Sequence, residues 1–392
     1  MPRTLVIQRV LTHYRRPLFE RLHERFGWEI VIAANPPAGT FLDLAKGDLP
    51  NYIHRFDYVF PDPDNNYAAT IPLAAILDCL KPDTVICEFS TRMSTTYQLP
   101  SARLRGAIRN YALWSHGWNM GLGFDTLRNR ARQYGRLPLM APADALLTYS
   151  EEGAAWLKKW LPWKTIISVG NTLDIASIWR TGGTARPIRH GTPQLLGVGR
   201  LLPDKEFDRL IRVFRRIVEY LPEAALTIIG DGPERERLKS LAGDDLGRCI
   251  HMTGAIYDEA MIGAHFLGAD AFVMLGAIGL SVNHALAYGL PVVVFPRGPH
   301  GPHHGPEMAH VVEGVTGYLC RGHSDEAMVE TIMMHIGAGT SETRRAAIRD
   351  YAQRNHAIES MVDRFAKVQK SLSANLCEEV PNLVGKSEQD HP

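Results

Sequence analysis

Short apolar runs alternate with longer helical patterns through the first half of the chain. One helical stretch is 17–26, in which Leu18, Leu22 and Phe26 share a face. This alternation is typical of βαβ units around a parallel sheet. The predicted strands are Leu5–Val10, Glu29–Ala34, Thr84–Glu88, Tyr111–Ser115, Ala145–Tyr149 and Thr165–Val169.

The pattern breaks at residues 181–193, which are rich in Gly, Thr, Arg and Pro and show neither periodicity. We interpret this stretch as a linker between an N-terminal domain, residues 1–180, and a second αβ domain, residues 194–354. The second domain opens with a strand at 194–199 and an amphipathic helix at 206–220. Further strands are predicted at Ala225–Ile229, Cys249–Thr253, Ala271–Leu275 and Pro291–Phe295.

Three other segments carry local signals. Residues 60–66 are rich in Pro, Asp and Asn and predict a surface loop. The stretch 342–372 is amphipathic and helical, and we expect its part 355–372 to pack back on the N-terminal domain. The polar residues 373–392 predict a disordered tail.

Composition supports this two-domain reading. The 392 residues suit two domains of about 180 residues each. Hydrophobic residues make up 45% and charged residues 22%, as in soluble globular proteins. The five cysteines are scattered without a CxxC pair, which favours free thiols in a reducing compartment. Without a signal-peptide core or a long apolar run, we expect a cytoplasmic protein.

Charge is distributed unevenly between the two halves. Residues 1–180 hold 21 Lys and Arg against 16 Asp and Glu, while the remainder holds 22 against 26. The basic clusters predict peripheral contact with an anionic membrane at its inner face, or a phosphorylated acceptor. The alternative is a set of solvated helix faces with no partner. We expect no nucleic-acid partner. The clustered residues are Arg103, Arg105, Arg109, Arg128, Arg130, Arg132, Arg136, Lys158, Lys159 and Lys164, with Trp156, Trp160 and Trp163 beside them.

The segment 197–205, GVGRLLPDK, carries the strongest chemical signal. A strand ends in a glycine, Arg200 follows at once, and Lys205 comes five residues later, before a helix. Ligands of αβ sheets bind beyond the carboxyl ends of the strands, and two cations there suit a diphosphate. Leu202 occupies the third glycine position of G-x-G-x-x-G, so simple NAD binding is disfavoured.

The order of the following motifs resembles the retaining glycosyltransferases of family four, which have the GT-B fold. The resemblance is densest in GVGRLLPDKEFDRLI, LTIIGDGPERERL, HMTGAI, GAIGLSVNHALAYGLPVVVF and PEMAHVVEGVTGYL. HYRRPLFERL, ALWSHGWN, ALLTYSEEGAAWL and ISVGNTLD in the first half are similar to the corresponding segments of that family. The resemblance implies an α/β protein of two Rossmann-like domains, with parallel sheets facing each other across a cleft.

The resemblance also implies roles for individual residues. Arg200 and Lys205 match the pair that neutralises the donor diphosphate and assists departure of the nucleoside diphosphate. His116 matches the first-domain histidine that faces the sugar across the cleft. The alternatives are ordinary solvation of the two cations and a strand-end histidine satisfied by backbone groups. The implied donor-binding positions are Gly199, Gly230, Gly254, Ile278, Gly279, Leu280, Ser281, His284 and Glu307.

The run 276–284 departs from the family pattern. The family has Glu-x7-Glu, whose first carboxylate contacts the transferred sugar and whose second grips the ribose. Here Gly276 and His284 stand at those positions. The apolar frame 278–281 is kept, and the first N–H groups of the following helix are still able to face phosphate. The departure leaves the donor sugar and nucleotide open.

The later loop PHGPHHGPEMAH contains Glu307, which matches a glutamate of the family's Gly-rich loop. We expect Glu307 to face the cleft, and the alternative is a helix N-terminal charge. The loop lacks metal-site spacings such as H-E-x-x-H, so we expect neither a metal nor another cofactor. Its histidines are His300, His303, His304 and His310.

His13 and Arg15 follow the first strand, in a loop that reaches the cleft in this fold. We expect them on the acceptor side. The alternative is a helix start without function, since Pro17 falls in the first helical turn.

The resemblance implies transfer of a hexosyl group from a nucleotide sugar to a hydroxyl of a glycan, a glycolipid or a small molecule, as in polysaccharide biosynthesis, with retained anomeric configuration. The leaving phosphate accepts the acceptor proton, so no protein base is obligatory. Two alternatives stay open. The loss of both family glutamates favours a non-catalytic sugar-nucleotide-binding protein, and GT-B sugar-nucleotide epimerases use the same cleft.

Overall fold

Two parallel β-sheets form the framework of the protein in the computed structural model, which describes residues 2–37, 49–62, 68–298, 301–336 and 339–378. The first sheet has seven strands in the order β3-β2-β1-β4-β5-β6-β7, and every neighbouring pair is parallel. Its strands are β1 (Thr4–Ile7), β2 (Glu29–Ala33), β3 (Ile53–Phe56), β4 (Thr84–Glu88), β5 (Asn110–Ser115), β6 (Ala145–Thr148) and β7 (Thr165–Ser168).

The second sheet has six strands in the order β10-β9-β8-β11-β12-β13, again all parallel. In both sheets the strand order reverses beside the first strand of the domain, which is the doubly wound arrangement. The strands are β8 (Gln194–Val198), β9 (Ala225–Ile229), β10 (Ile250–Gly254), β11 (Ala271–Met274), β12 (Val292–Val294) and β13 (Gly317–Leu319).

Helices cover both sheets, because strands buried on two faces need an apolar layer on each side. In the first half they are α1 (Arg16–Phe26), α2 (Leu73–Leu80), α3 (Thr95–Leu104), α4 (Leu127–Tyr134), α5 (Leu137–Met140), α6 (Glu151–Trp160) and α7 (Ile175–Gly182). In the second half they are α8 (Phe207–Tyr220), α9 (Arg235–Ala242), α10 (Glu259–Gly268), α11 (Ser281–Ala287), α12 (Asp325–Ile336), α13 (Glu342–His356) and α14 (Ile358–Glu378).

The predicted strands all exist, with ends that differ by at most three residues, and two strands in the described ranges were missed. β3 reads IHRF, with only one fully buried residue at the edge of its sheet, so its apolar signal is weak. β13 has three residues and lies at the edge of the second sheet. Edge strands bury less apolar surface than central strands, which explains why the pattern did not reveal them.

The chain crosses between domains earlier than the predicted linker at 181–193. Helix α7 packs against α10, α11 and α13 of the second domain, although the sequence analysis assigned residues 175–180 to the first domain and the last two residues of the helix to the linker. Asp174 caps α7 by accepting a hydrogen bond from the backbone N–H of Ser177, at 3.0 Å. The connector between the domains is therefore the extended stretch 169–174, and the later irregular stretch lies within the second domain.

The C-terminal helix α14 crosses back and packs against α1 and β7 of the first domain. Phe365 is fully buried and makes edge contacts with Trp28 and Trp114, at centroid distances of 5.6 and 5.2 Å. Burying such a ring contributes about 1.5–3 kcal/mol. Helix α14 continues to Glu378, so the tail predicted at 373–392 cannot begin at 373. Residues 379–392 and most of the predicted loop 60–66 lie outside the described residues.

No helix within the described ranges is long and apolar enough to span a bilayer. Among the cysteines with described side chains, Cys79 is exposed, and Cys87, Cys249 and Cys320 are buried free thiols.

Candidate active site between the two domains

The predicted site residues lie at the carboxyl ends of the two sheets. His116 follows β5, Arg200 and Lys205 follow β8, and the turn 276–281 follows β11. Parallel sheets bind ligands at this edge, where the strand order reverses. The fold therefore brings residues from distant parts of the sequence to one cleft.

The side chain of Lys205 is partly buried and hydrogen-bonded, whereas that of Arg200 is exposed. The side chain of Lys205 is 19% exposed, and its Nζ donates a hydrogen bond to the carbonyl oxygen of Ala277 at 2.6 Å. Burial lowers the pKa of Lys205, with Asp204 and Glu307 opposing that shift and Arg200 adding to it. A bound anion would stabilise this desolvated ammonium, as a phosphate clamp requires.

Gly276 lies directly against the backbone of the loop that carries Lys205. A Cβ atom at Gly276 would lie 2.3 Å from the carbonyl oxygen of Asp204 and 2.4 Å from the carbonyl carbon of Lys205. The backbone N–H of Ala277 also donates to the Asp204 carbonyl oxygen at 2.8 Å. The side chain of the family glutamate therefore does not fit at this position unless the loop with Lys205 shifts.

Close backbone packing also explains one predicted donor-binding glycine. A Cβ atom at Gly230 would lie 1.9 Å from the carbonyl oxygen of Gly199, so the loops after β8 and β9 touch. Gly230 also donates from its backbone N–H to the carbonyl oxygen of Gly254, at 2.9 Å. Gly199 itself has room for a Cβ, with no other atom closer than 3.8 Å. Of these three glycines, Gly230 is the one whose missing side chain lets the loops beside the clamp lie close together.

The turn before α11 is fixed by a buried histidine. The Nδ1 atom of His304 accepts a hydrogen bond from the backbone N–H of Ile278 at 3.3 Å, and its Nε2 lies 2.9 Å from the carbonyl oxygen of Phe295. Burial lowers the pKa of His304 to about 4, so the ring is neutral. His304 thus supports Ile278, Gly279 and Leu280 rather than binding a ligand itself. The predicted position Ser281 is the first residue of α11.

Glu307, which the sequence predicted to face the cleft, is buried at the boundary between the domains, with 2% of its surface exposed. Its Oε1 accepts a hydrogen bond from Nδ2 of Asn171, in the interdomain connector. Burial raises the pKa of Glu307, while the hydrogen bonds from its own backbone and Asn171 and the charges of Arg15 and Lys205 oppose that rise. Asn171 was not predicted as a site residue, although it lies in the family-like segment ISVGNTLD.

Arg15 reaches the same point from the first domain. Its Nη2 donates to Oδ1 of Asn171 at 2.6 Å, and its guanidinium lies 5.0 Å from the ring centroid of Trp114 and 5.2 Å from that of Tyr149. Arg15 is 8% exposed, and its Nη1 has no hydrogen-bond partner among the described residues. His13, which precedes it, is exposed and contacts Tyr14 edge-on. The loop therefore places the side chain of Arg15 at the cleft, while that of His13 is exposed to solvent.

His116 lies on the first-domain side and contacts Tyr149, at a ring-centroid distance of 4.5 Å. Burial lowers the pKa of His116 to about 4, and the charges of Arg136, Arg15 and Arg297 add to this effect against Glu88. The imidazole is therefore neutral at physiological pH. Its Nδ1 is buried and lacks a hydrogen-bond partner in the described part of the chain.

A partly buried ion pair beside His116 was not predicted from the sequence. Nε of Arg9 donates to Oε2 of Glu88 at 3.0 Å, and Nη2 of Arg9 contacts Oε1. Burial acts to raise the pKa of Glu88, but Arg9 outweighs it, and the pKa lies below its ordinary value. Glu88 is the last residue of β4 and Arg9 lies two residues beyond β1, so their position at strand ends was the available signal.

Arg297 connects the second domain to the first. It donates to the carbonyl oxygens of His304 and Gly305 at 2.7 and 2.8 Å, and its Nε lies 3.3 Å from Oε2 of Glu152 on α6. Burial lowers the pKa of Arg297. This residue, also missed from the sequence, holds the loop that carries Glu307.

The remaining predicted positions have specific partners. His284, one turn into α11, lies 3.2 Å from Oε2 of Glu259. His310 lies 2.6 Å from Oδ1 of Asn283 and stacks on His356, and His303 is exposed. His300 lies outside the described residues. In the described part of the chain no three His, Cys, Asp or Glu side chains are grouped to hold a metal.

The two facing doubly wound domains, with the cleft at their carboxyl edges, define a GT-B protein, as the sequence predicted. Residues 184–354 match the family model described as glycosyl transferases group 1. The predicted resemblance to glycosyltransferases is therefore confirmed for the second domain at the level of group 1.

Curated relatives agree with that assignment. A GDP-mannose-dependent alpha-(1-6)-phosphatidylinositol monomannoside mannosyltransferase of Mycolicibacterium smegmatis is 32% identical over 180 residues, 43% of this chain and 44% of its own length. An uncharacterised glycosyltransferase of Haemophilus influenzae is 26% identical over 233 residues, 58% of this chain and 60% of its own. The matched regions thus span less than two thirds of these relatives.

Solved structures share the fold over nearly the whole chain. A UDP-forming trehalose-phosphate synthase from Burkholderia vietnamiensis matches with a TM-score of 0.69 and 13% identity, covering 95% of this chain and all of the other. Anabaena HepE in complex with UDP matches with a TM-score of 0.62 and 14% identity, with the same coverage.

Proposed function

We propose that this chain is a glycosyltransferase that moves a sugar from a nucleotide-sugar donor to an acceptor hydroxyl, with retained anomeric configuration. The main support for the proposal is the position of Lys205 in the loop after β8. Its ammonium is held by the Ala277 carbonyl and interacts electrostatically with Arg200 and Glu307. The family match over residues 184–354 and the names of the curated relatives support the same reaction class.

In this mechanism Arg200 and Lys205 bind the donor diphosphate. The glycosidic carbon–oxygen bond breaks, and negative charge grows on the leaving β-phosphate. Cations aimed at that oxygen stabilise the transition state more than the ground state. These two side chains neutralise the phosphate charge that a divalent cation neutralises in other transferases. The reaction is therefore proposed to be metal-independent.

The acceptor oxygen forms its new bond to the sugar on the face that the phosphate leaves. The acceptor proton passes to the departing phosphate oxygen, which balances the charge without a protein base. The neutral imidazole of His116 offers a hydrogen-bonding nitrogen to a sugar or acceptor hydroxyl. Glu307, poorly solvated and close to Lys205, accepts hydrogen bonds from hydroxyls of the transferred sugar.

The surface of the first domain favours a lipid-linked acceptor at an anionic membrane. Trp163 is 70% exposed and Leu127 83% exposed. Tyr134 at the end of α4 meets Trp160 of α6 at a centroid distance of 4.9 Å, so the two helices present one surface. Apolar tips among basic side chains are typical of interfacial binding. The exposed basic residues on this surface are Arg128, Arg130, Arg132, Lys158 and Lys159.

The test is incubation of the purified protein with a panel of sugar nucleotides, GDP-mannose and UDP-sugars first, with and without lipid extract. Release of the nucleoside diphosphate together with a glycosylated product supports transfer. Isomerised sugar without release supports epimerisation, and binding without any turnover supports a binding protein. Either of the last two results overturns the proposal. Addition of EDTA, which should not lower the rate, tests the metal-independent reaction.

A further inference from the structure

The carboxylate of Glu259 lies against helix α11 at the edge of the second sheet. Glu259 is the first residue of α10, after the capping residue Asp258. The Tyr288 hydroxyl donates a hydrogen bond to its Oε1 at 2.6 Å, and Nε2 of His284 lies 3.2 Å from Oε2. His284 of α11 and Tyr288, the residue that follows this helix, therefore fix the position of one carboxylate on α10.

Tyr288 is well suited to hold this carboxylate. It is fully buried, and its ring packs on Phe266 at a centroid distance of 5.4 Å. Burial and the neighbouring Glu259 raise the pKa of Tyr288, so its hydroxyl stays a hydrogen-bond donor. A glycine at position 182 makes room for it, since a Cβ there would lie 2.0 Å from the Tyr288 hydroxyl oxygen.

The carboxylate remains partly exposed to solvent. The side chains of Glu259 and His284 are 24% and 23% exposed, and each carboxylate oxygen can accept a further hydrogen bond. α10 and α11 both begin at the carboxyl edge of the sheet, which also carries Arg200 and Lys205. A nucleotide whose diphosphate lies at those cations presents its ribose hydroxyls to the same edge, where αβ proteins commonly bind the ribose with a carboxylate.

We propose that Glu259, positioned by Tyr288 and His284, is the carboxylate that binds the ribose hydroxyls of the nucleotide. The inference rests on the proposed function, because it requires a nucleotide in the cleft. The carboxylate comes from α10, and His284 on α11 is a positioning residue that orients it. A glutamate at position 284 would instead place two carboxylates side by side, which repel each other.

The experiment measures equilibrium binding of UDP, GDP and their 2′-deoxy forms to the full chain. The wild-type protein is expected to prefer the ribonucleotide by about tenfold or more, since a charged acceptor strengthens the hydrogen bond. Glu259→Ala should reduce that preference to about twofold or less, and Tyr288→Phe should reduce it partly. Glu236→Gln, an exposed glutamate on α9 paired with Lys239, is the matched control and should keep the wild-type preference.

Thermal unfolding of each variant checks that it is folded. Unchanged preference in folded Glu259→Ala, or no preference in the wild type, overturns the ribose assignment. If either of these results is found while the wild type still binds the nucleotides and Lys205→Ala weakens that binding, the proposed function stands and only this inference falls. Absence of any nucleotide or sugar-nucleotide binding to the wild type overturns both.

Discussion

Arg15 of the first domain donates a hydrogen bond from Nη2 to Oδ1 of Asn171 at 2.6 Å. Asn171 in turn donates from Nδ2 to Glu307 of the second domain. All three side chains are buried. This chain of hydrogen bonds couples the two domains at the cleft, because buried polar groups are costly when they lose a partner.

Asn171→Asp tests this coupling. The change removes the amide donor and places a second carboxylate beside Glu307, whose pKa is already raised by burial. At neutral pH we expect a loss of about 2 kcal/mol or more in the free energy of unfolding. Protonation of one carboxyl group relieves the repulsion, so the loss should shrink as the pH falls to about 5. Urea denaturation of variant and wild type at both pH values measures it.

Asn355→Asp is the control for that change, since Asn355 is exposed near the end of α13. It should cost less than about 1 kcal/mol at either pH. A similar loss in both variants would show that the contact with Glu307 has no special role.

Lys205→Ala should remove half of the phosphate clamp. The expected result is a fall in kcat of about a hundredfold, as for loss of one fixed donor at a developing negative charge. Release of the nucleoside diphosphate from the active donor measures the rate. Lys239→Ala, on the exposed face of α9, should leave the rate within about twofold. Wild-type turnover in Lys205→Ala would contradict the assigned clamp.

Gly276→Ala should disturb the clamp loop through its backbone. The new Cβ has no room beside Asp204 and Lys205, so we expect a loss of about 1–3 kcal/mol in stability. Gly279→Ala in the same turn is the control, because no atom lies within 4 Å of a Cβ there. Thermal or urea unfolding compares the two. Equal stability of both variants would mean that the loops are not packed as described.

His304 should make the protein less stable in mild acid. Its folded pKa of about 4 lies below the ordinary value of 6.5, so the unfolded chain binds the extra proton between those values. The contribution of His304 to the free energy of unfolding is therefore complete above about pH 6.5. It decreases as the pH falls toward 4, by about 1.4 kcal/mol per pH unit for this one group. The measurement is the urea midpoint against pH. His304→Gln should reduce the slope, whereas the exposed His303→Gln should not.

Trp163→Ser combined with Lys159→Ser tests the membrane surface. Binding to vesicles that contain phosphatidylglycerol should fall about tenfold and should weaken with added salt in the wild type. Co-sedimentation measures the bound fraction. Tyr220→Ser, 67% exposed on the second domain, is the control and should bind like the wild type. Equal binding to neutral vesicles would argue against an electrostatic membrane contact.

The sequence by itself predicted both domains and most strands, because fully buried parallel strands appear as short apolar runs at regular intervals. It also located the loop with Arg200 and Lys205, since a glycine and two cations after a strand are adjacent in the chain. Glu307 and His116 were proposed as candidate site residues because they fall in motifs that occur in a fixed order. The residues that contact them in the fold were not predicted.

Only the tertiary structure determined how these residues meet. Asn171 joins Arg15 and Glu307 across separations of 156 and 136 residues, and no local pattern contains such a contact. The place of α7 on the second domain depends on packing with helices far along the chain. The same holds for Gly276 and His284, whose roles follow from the backbone of Lys205 and from Glu259. Local propensity and periodicity determine elements, while long-range packing decides which side chains share a site.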